Sequence, residues 1–107
     1  MQEERLKILF DYLEEEPNDP FNIYAIAMEY LNKDIVRAKF YLEKLLVEHP
    51  DYIPTYYHAA ALYFENGEFE KAENTFKAGI EKAHQKKSMK AFDELKRAYR
   101  MFLDEME

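Results

Sequence analysis

Residues 53–83 read IPTYYHAAALYFENGEFEKAENTFKAGIEKA and carry two runs of apolar residues about a central polar break. Tyr56, Ala59, Ala60 and Tyr63 recur at helical spacing, and so do Phe69, Ala72, Phe76, Gly79 and Ile80. Apolar residues at i, i+3, i+4 and i+7 mark one face of an amphipathic helix. Between the two runs lies Asn66-Gly67, the residue pair of a tight turn. The stretch is therefore expected to form two helices folded back on one another.

The same arrangement continues on both sides of this stretch. Leu6, Leu9, Phe10 and Leu13 place a helix over 3–16, which Glu16-Pro17-Asn18-Asp19-Pro20 ends, because the residue before a proline is pushed out of the helical region. Asp19 suits the N-cap of the next helix with Pro20 at its first position. That helix holds Phe21, Ile23, Tyr24, Ile26, Ala27, Met28, Tyr30 and Leu31, apolar on nearly every side. Asp34 caps a third helix, through Ile35, Ala38, Tyr41, Leu42, Leu45 and Leu46 to His49-Pro50. Beyond the opening stretch, Ser88 is in place to cap a last helix whose stripe is Phe92, Leu95, Tyr99, Phe102 and Met106. With Gly and Pro scarce at 2 and 4, an all-α fold of about six helices is expected, rather than a turn-rich sandwich or barrel.

The helices repeat. Ile35, Ala38, Leu42, Leu45 and Leu46 return 34 residues later as Phe69, Ala72, Phe76, Gly79 and Ile80. Upstream, Pro17, Ile23, Ala27 and Tyr30 return 33 residues later as Pro50, Tyr56, Ala60 and Tyr63, and one gap between Lys33 and Asp34 reconciles the offsets. The first helix fits the same frame. Leu9, Tyr12, Leu13 and Pro17 match Leu42, Leu45, Leu46 and Pro50, which makes it a second-type helix. The last offers Phe92, Leu95 and Tyr99 at first-helix spacing, with Lys96 in the small-residue place.

These residues resemble the tetratricopeptide repeat, whose signature is W-x2-L-G-x2-Y, then A-x3-F, then P, over about 34 residues. The second hairpin carries Tyr56, Ala59-Ala60, Tyr63, Gly67, Ala72 and Phe76, and the first carries Ile23, Ile26-Ala27, Tyr30, Ala38, Leu42 and Pro50. Tyr56 and Ile23 replace Trp, Ala replaces the helix Gly, and His84 stands at the closing Pro. The resemblance implies a right-handed α-solenoid of antiparallel hairpins. In one expected domain over 1–107, a half-repeat helix (3–16) precedes two repeats (20–50 and 53–84) and a capping helix (88–105). Small residues let paired helices approach closely, and stacking buries faces that one hairpin cannot bury alone.

The resemblance also implies a function. In similar proteins the first helices of each hairpin line a concave groove that holds a peptide or helix of a partner protein. The matching positions here are Tyr24, Met28 and Leu31, then Tyr57, Ala61 and Phe64, with Arg97 and Arg100 from the last helix as a basic edge. Members that grip a C-terminal carboxylate use Lys and Asn where this chain has Tyr24 and Met28, so that specialisation is not expected.

The remaining composition excludes other classes. A net charge of −7 argues against general nucleic-acid binding. His49, His58 and His84 are widely spaced, Cys is absent, and no HExxH occurs, so no metal site or other cofactor is expected. With one Ser and no Gly-rich phosphate loop, no catalytic residue is singled out and the chain is read as a non-enzyme. No apolar run is long enough to span a bilayer and the N-terminus lacks a signal-peptide pattern, so a cytoplasmic setting is expected. Charge is unevenly placed: residues 1–19 carry seven acids against two bases, and residues 82–100 seven bases against two acids. That asymmetry supports an alternative reading, a self-associating adaptor joined through its acidic first and basic last helices.

Overall fold

A computed structural model describes residues 2–107. The described residues contain six α-helices joined by short turns: α1 (Gln2–Glu15), α2 (Pro20–Tyr30), α3 (Ile35–Glu48), α4 (Pro54–Glu65), α5 (Phe69–Gln85) and α6 (Met89–Glu105). Their packing forms two compact units, one running up to Tyr52 and the other Ile53–Glu107.

In the first unit, α2 is the central element and packs on both α1 and α3. Its inward residues Ile23, Ile26 and Ala27 are fully buried, together with Ala38 and Leu45 of α3. Burying a large aliphatic side chain contributes about 1.5–3 kcal/mol, so these positions dominate the unit's stability. Both predicted aspartate caps form. The Asp19 carboxylate accepts from the Phe21 amide at 2.9 Å and Asp34 accepts from the Arg37 amide at 3.1 Å, each satisfying an otherwise orphaned helix-terminal donor. Across the unit, the Tyr41 ring meets Phe10 of α1 at 6.1 Å and stacks on Tyr30 of α2 at 6.0 Å. An Arg5–Glu29 ion pair at 3.0 Å further joins α1 to α2.

In the second unit, α5 packs on α4 and on α6. Tyr56, Ala59, Ala60, Leu62 and Tyr63 of α4 are buried, as are Ala72, Phe76 and Ala83 of α5 and Leu95 and Phe102 of α6. The turn after α4 follows from Gly67, whose φ of 78° lies in the left-handed region. There the Gly67 amide donates to the Phe64 carbonyl and the Glu68 amide to that of Tyr63, the paired bonds of a Schellman termination. The end of α5 repeats the motif with Lys87 at φ 58°, its amide donating to His84 and that of Ser88 to Ala83. Here one sequence expectation is corrected. Ser88 occupies the N-cap place of α6 but makes no side-chain capping bond; its backbone closes α5 instead.

Gly79 has a role that periodicity alone did not expose. A Cβ there would lie 2.6 Å from Tyr56 Cβ and 3.2 Å from Leu95 Cδ1. The missing side chain thus lets α5 approach α4 and α6 at once.

Candidate partner-binding faces

Two adjacent tyrosines in α4 have opposite fates. Tyr56 is 4% exposed, while Tyr57, one helical step round, is 45% exposed. Tyr57, Ala61 and Phe64 follow one another at i, i+4 and i+7, so they share a side of α4. The Tyr57 ring meets the His58 imidazole edge-on at 5.5 Å. His58 is half-buried, and burial lowers its pKa by penalising the charged form. At the other end Phe64 is half-buried, its ring 5.7 Å from both Phe69 and Phe102. The face therefore runs from an open aromatic at Tyr57 to one held by α5 and α6 at Phe64.

Tyr24 and Met28 on α2, and Leu31 at its C-cap, are all half-buried. The Tyr24 ring lies 5.5 Å from Tyr52, and burial raises the pKa of its hydroxyl. The tilted pair fixes the ring and leaves Tyr24 less accessible than Tyr57. Of the two arginines, Arg97 is exposed on α6. Arg100 is placed beside Lys77, Ile80, His84, Tyr99 and Leu103 on the open side of the α5–α6 pair.

That company marks a second feature, which sequence reading missed. An open groove of about 540 Å³ runs between α5 and α6, within the size range of natural binding clefts. Ile80, Phe92, Tyr99 and Leu103 supply its apolar surface, and Lys77, Lys96 and Arg100 its basic rim, with Glu81 among them. The signals in the sequence were the basic residues of 82–100, two of which, Lys96 and Arg100, line the groove, and Leu103 beside the α6 stripe. Among the described residues, no three His, Cys, Asp or Glu side chains group as metal ligands, and no helix is long and apolar enough to cross a membrane.

A family model described as "Tetratricopeptide repeat" matches residues 30–99. The chain belongs to the tetratricopeptide repeat family. The crystal structure of a tetratricopeptide repeat domain protein from Salinibacter ruber is similar, at 37% identity with a TM-score of 0.77, over 80% of this chain and 97% of that one. A solution NMR structure of a tetratricopeptide repeat domain protein from the same organism is 38% identical at a TM-score of 0.76, over 81% and 89% of the two chains. A comparison with curated proteins found no match. The tetratricopeptide repeat is generally a protein–protein interaction module and its members are generally non-catalytic scaffolds. Its small-residue positions are packed in this chain: Ala27, Ala38, Ala60 and Ala72 are each 0% exposed. Tyr57 is not among those packed positions.

Proposed function

We propose that this tetratricopeptide repeat chain is a non-catalytic interaction module that holds a peptide or helix of another protein, with the α4 face of Tyr57, Ala61 and Phe64 as its main contact. In the first unit, taken by itself, Tyr24 and Met28 of α2 with Leu31 at its C-cap are a separate apolar candidate, and in the second Arg97 and Arg100 favour an acidic flank on the partner. The observation that carries the reading is the exposure of Tyr57 at 45% on a helix whose other tyrosines are buried. A large, stiff, amphipathic ring at a surface is a frequent binding anchor. Phe64 suits a partner's apolar side chain because Phe69 and Phe102 already hold its ring in place.

The test is affinity. Peptides selected by display against the whole chain are titrated calorimetrically into wild type, Tyr57→Ala and Phe64→Ala. Loss of an aromatic anchor is expected to weaken binding by about 2 kcal/mol, roughly thirtyfold. Equal affinity for wild type and both folded variants would remove the assignment of this face.

A further inference from the structure

The α5–α6 groove stands at a place in the repeat that is filled elsewhere in the same chain. In the first unit a second-type helix, α1, and a first-type helix, α2, are followed by α3. Tyr41 of α3 reaches both, meeting Phe10 and stacking on Tyr30. In the second unit α5 and α6 are again second-type and first-type helices, and the corresponding face is the open groove of Ile80, Phe92, Tyr99 and Leu103. A second-type helix is the shape this groove fits.

The chain contains such a helix with an uncovered face. The repeat aligns Tyr12 of α1 with Leu45 of α3 and Gly79 of α5. Leu45 is 0% exposed and Gly79 is buried, yet Tyr12 is 52% exposed. Ile8, which aligns with Tyr41, is 50% exposed. Ile8 and Tyr12 are four residues apart and share one side of α1, bordered by the exposed carboxylates Asp11 and Glu15. Lys77, Lys96 and Arg100 rim the groove, so the charges are complementary.

We propose that α1 of a second copy seats in the α5–α6 groove, so that the chain associates head to tail. By the repeat correspondence, Ile8 lies against Tyr99, as Tyr41 lies against Tyr30. Tyr12 lies against Phe92, as Gly79 lies against Tyr56. Asp11 and Glu15 meet the basic rim. The interface is heterologous, leaving one groove and one α1 open on every assembly until a ring closes.

The experiment is sedimentation velocity with light scattering on the whole chain, at micromolar and millimolar concentration, in low and in high salt. Wild type is expected to rise above the 12.9 kDa monomer mass with concentration, and less so in high salt, where charge is screened. Ile8→Asp with Tyr12→Asp spoils only α1, and Lys96→Glu with Leu103→Glu spoils only the groove. Each double variant alone is expected to stay monomeric. Mixed in equal amounts, they retain one intact interface and are expected to form a 1:1 dimer of twice the monomer mass and nothing larger. All four residues are exposed, and circular dichroism checks that the helices persist. Lys96→Glu with Arg100→Glu, which changes only rim charges, serves if Leu103→Glu disturbs folding. A wild type that stays monomeric at every concentration would overturn the proposal and leave the groove to a helix of some other protein. So would self-association unchanged in either double variant, or a mixture that stays monomeric.

Discussion

Replacing Gly79 with alanine sets two well-measured effects against each other. In an exposed helix the change stabilises, because alanine is about 0.8–1 kcal/mol the better helix former. At this site the added methyl carbon would sit 2.6 Å from Tyr56 Cβ and 2.9 Å from its Cγ, against a comfortable carbon–carbon separation of about 3.5–4.0 Å. Leu95 Cδ1, at 3.2 Å, is the end of a flexible side chain and can turn away. Tyr56 Cβ cannot, because it is fixed to the α4 backbone, so α5 must retreat by about 1 Å. Overpacking of this kind costs about 1–3 kcal/mol, and the surrounding core is too dense to absorb it locally. After subtracting the propensity gain, Gly79→Ala is expected to destabilise by about 1 kcal/mol at the middle of that range and by about 2 kcal/mol at its upper end. Each kcal/mol lowers the Tm of a domain this size by about 4–8 °C. Urea unfolding followed by circular dichroism measures it, with an unchanged m-value showing that the same surface is exposed. A variant as stable as the parent, or more so, would refute the claim that Gly79 sets the helix spacing.

The caps give a paired comparison. Asp34→Ala is expected to cost about 1 kcal/mol because it frees the Arg37 amide, whereas Ser88→Ala, which breaks no capping bond, is expected to be within about 0.5 kcal/mol of the parent; urea midpoints decide both. Lys87→Gly is expected to stabilise by about 0.5–1 kcal/mol, since glycine holds the left-handed conformation without a Cβ clash, and a lower Tm would contradict it. Thr55 is 1% exposed and its hydroxyl lacks a hydrogen-bond partner, so Thr55→Val is expected to raise stability by about 1 kcal/mol. For His58 the folded-state pKa is lowered by burial. Its contribution is therefore complete above the unfolded value near 6.5 and is lost as pH falls through the lowered folded value. The drop in Tm between pH 7.5 and pH 5 is expected to be smaller in His58→Gln than in the parent, and an equal drop would exclude His58 as its source.

Much of this architecture was legible because it rests on local chemistry. The proline and aspartate at 19–20, the Asp34 cap and the Asn66-Gly67 turn act within a few residues, and all three behave as their local patterns indicate. The paired alanines were legible through the repeat, since a small residue returning at a fixed offset implies close helix approach. What was hidden depends on distance in three dimensions. Gly79 matches Leu45 in the repeat, and only the placement of α5 between Tyr56 and Leu95 shows why no side chain fits. The α5–α6 groove is built from residues that each look like ordinary members of an amphipathic stripe. Ser88 looked like a cap because serine favours that place, but its hydroxyl makes no capping bond while its amide closes α5. Likewise Tyr56 and Tyr57 are chemically identical, and it took the repeat register to separate the packed ring from the exposed one.

The proposed role rests on the α4 face receiving a partner. Amide chemical-shift mapping of the isotopically labelled chain, during titration with a display-selected peptide, tests it most directly. The largest shifts are expected to cluster at Tyr57, Ala61 and Phe64 and to be lost in Tyr57→Ala. Saturable shifts confined to Ile80, Phe92, Tyr99 and Leu103, with α4 unmoved, would contradict it.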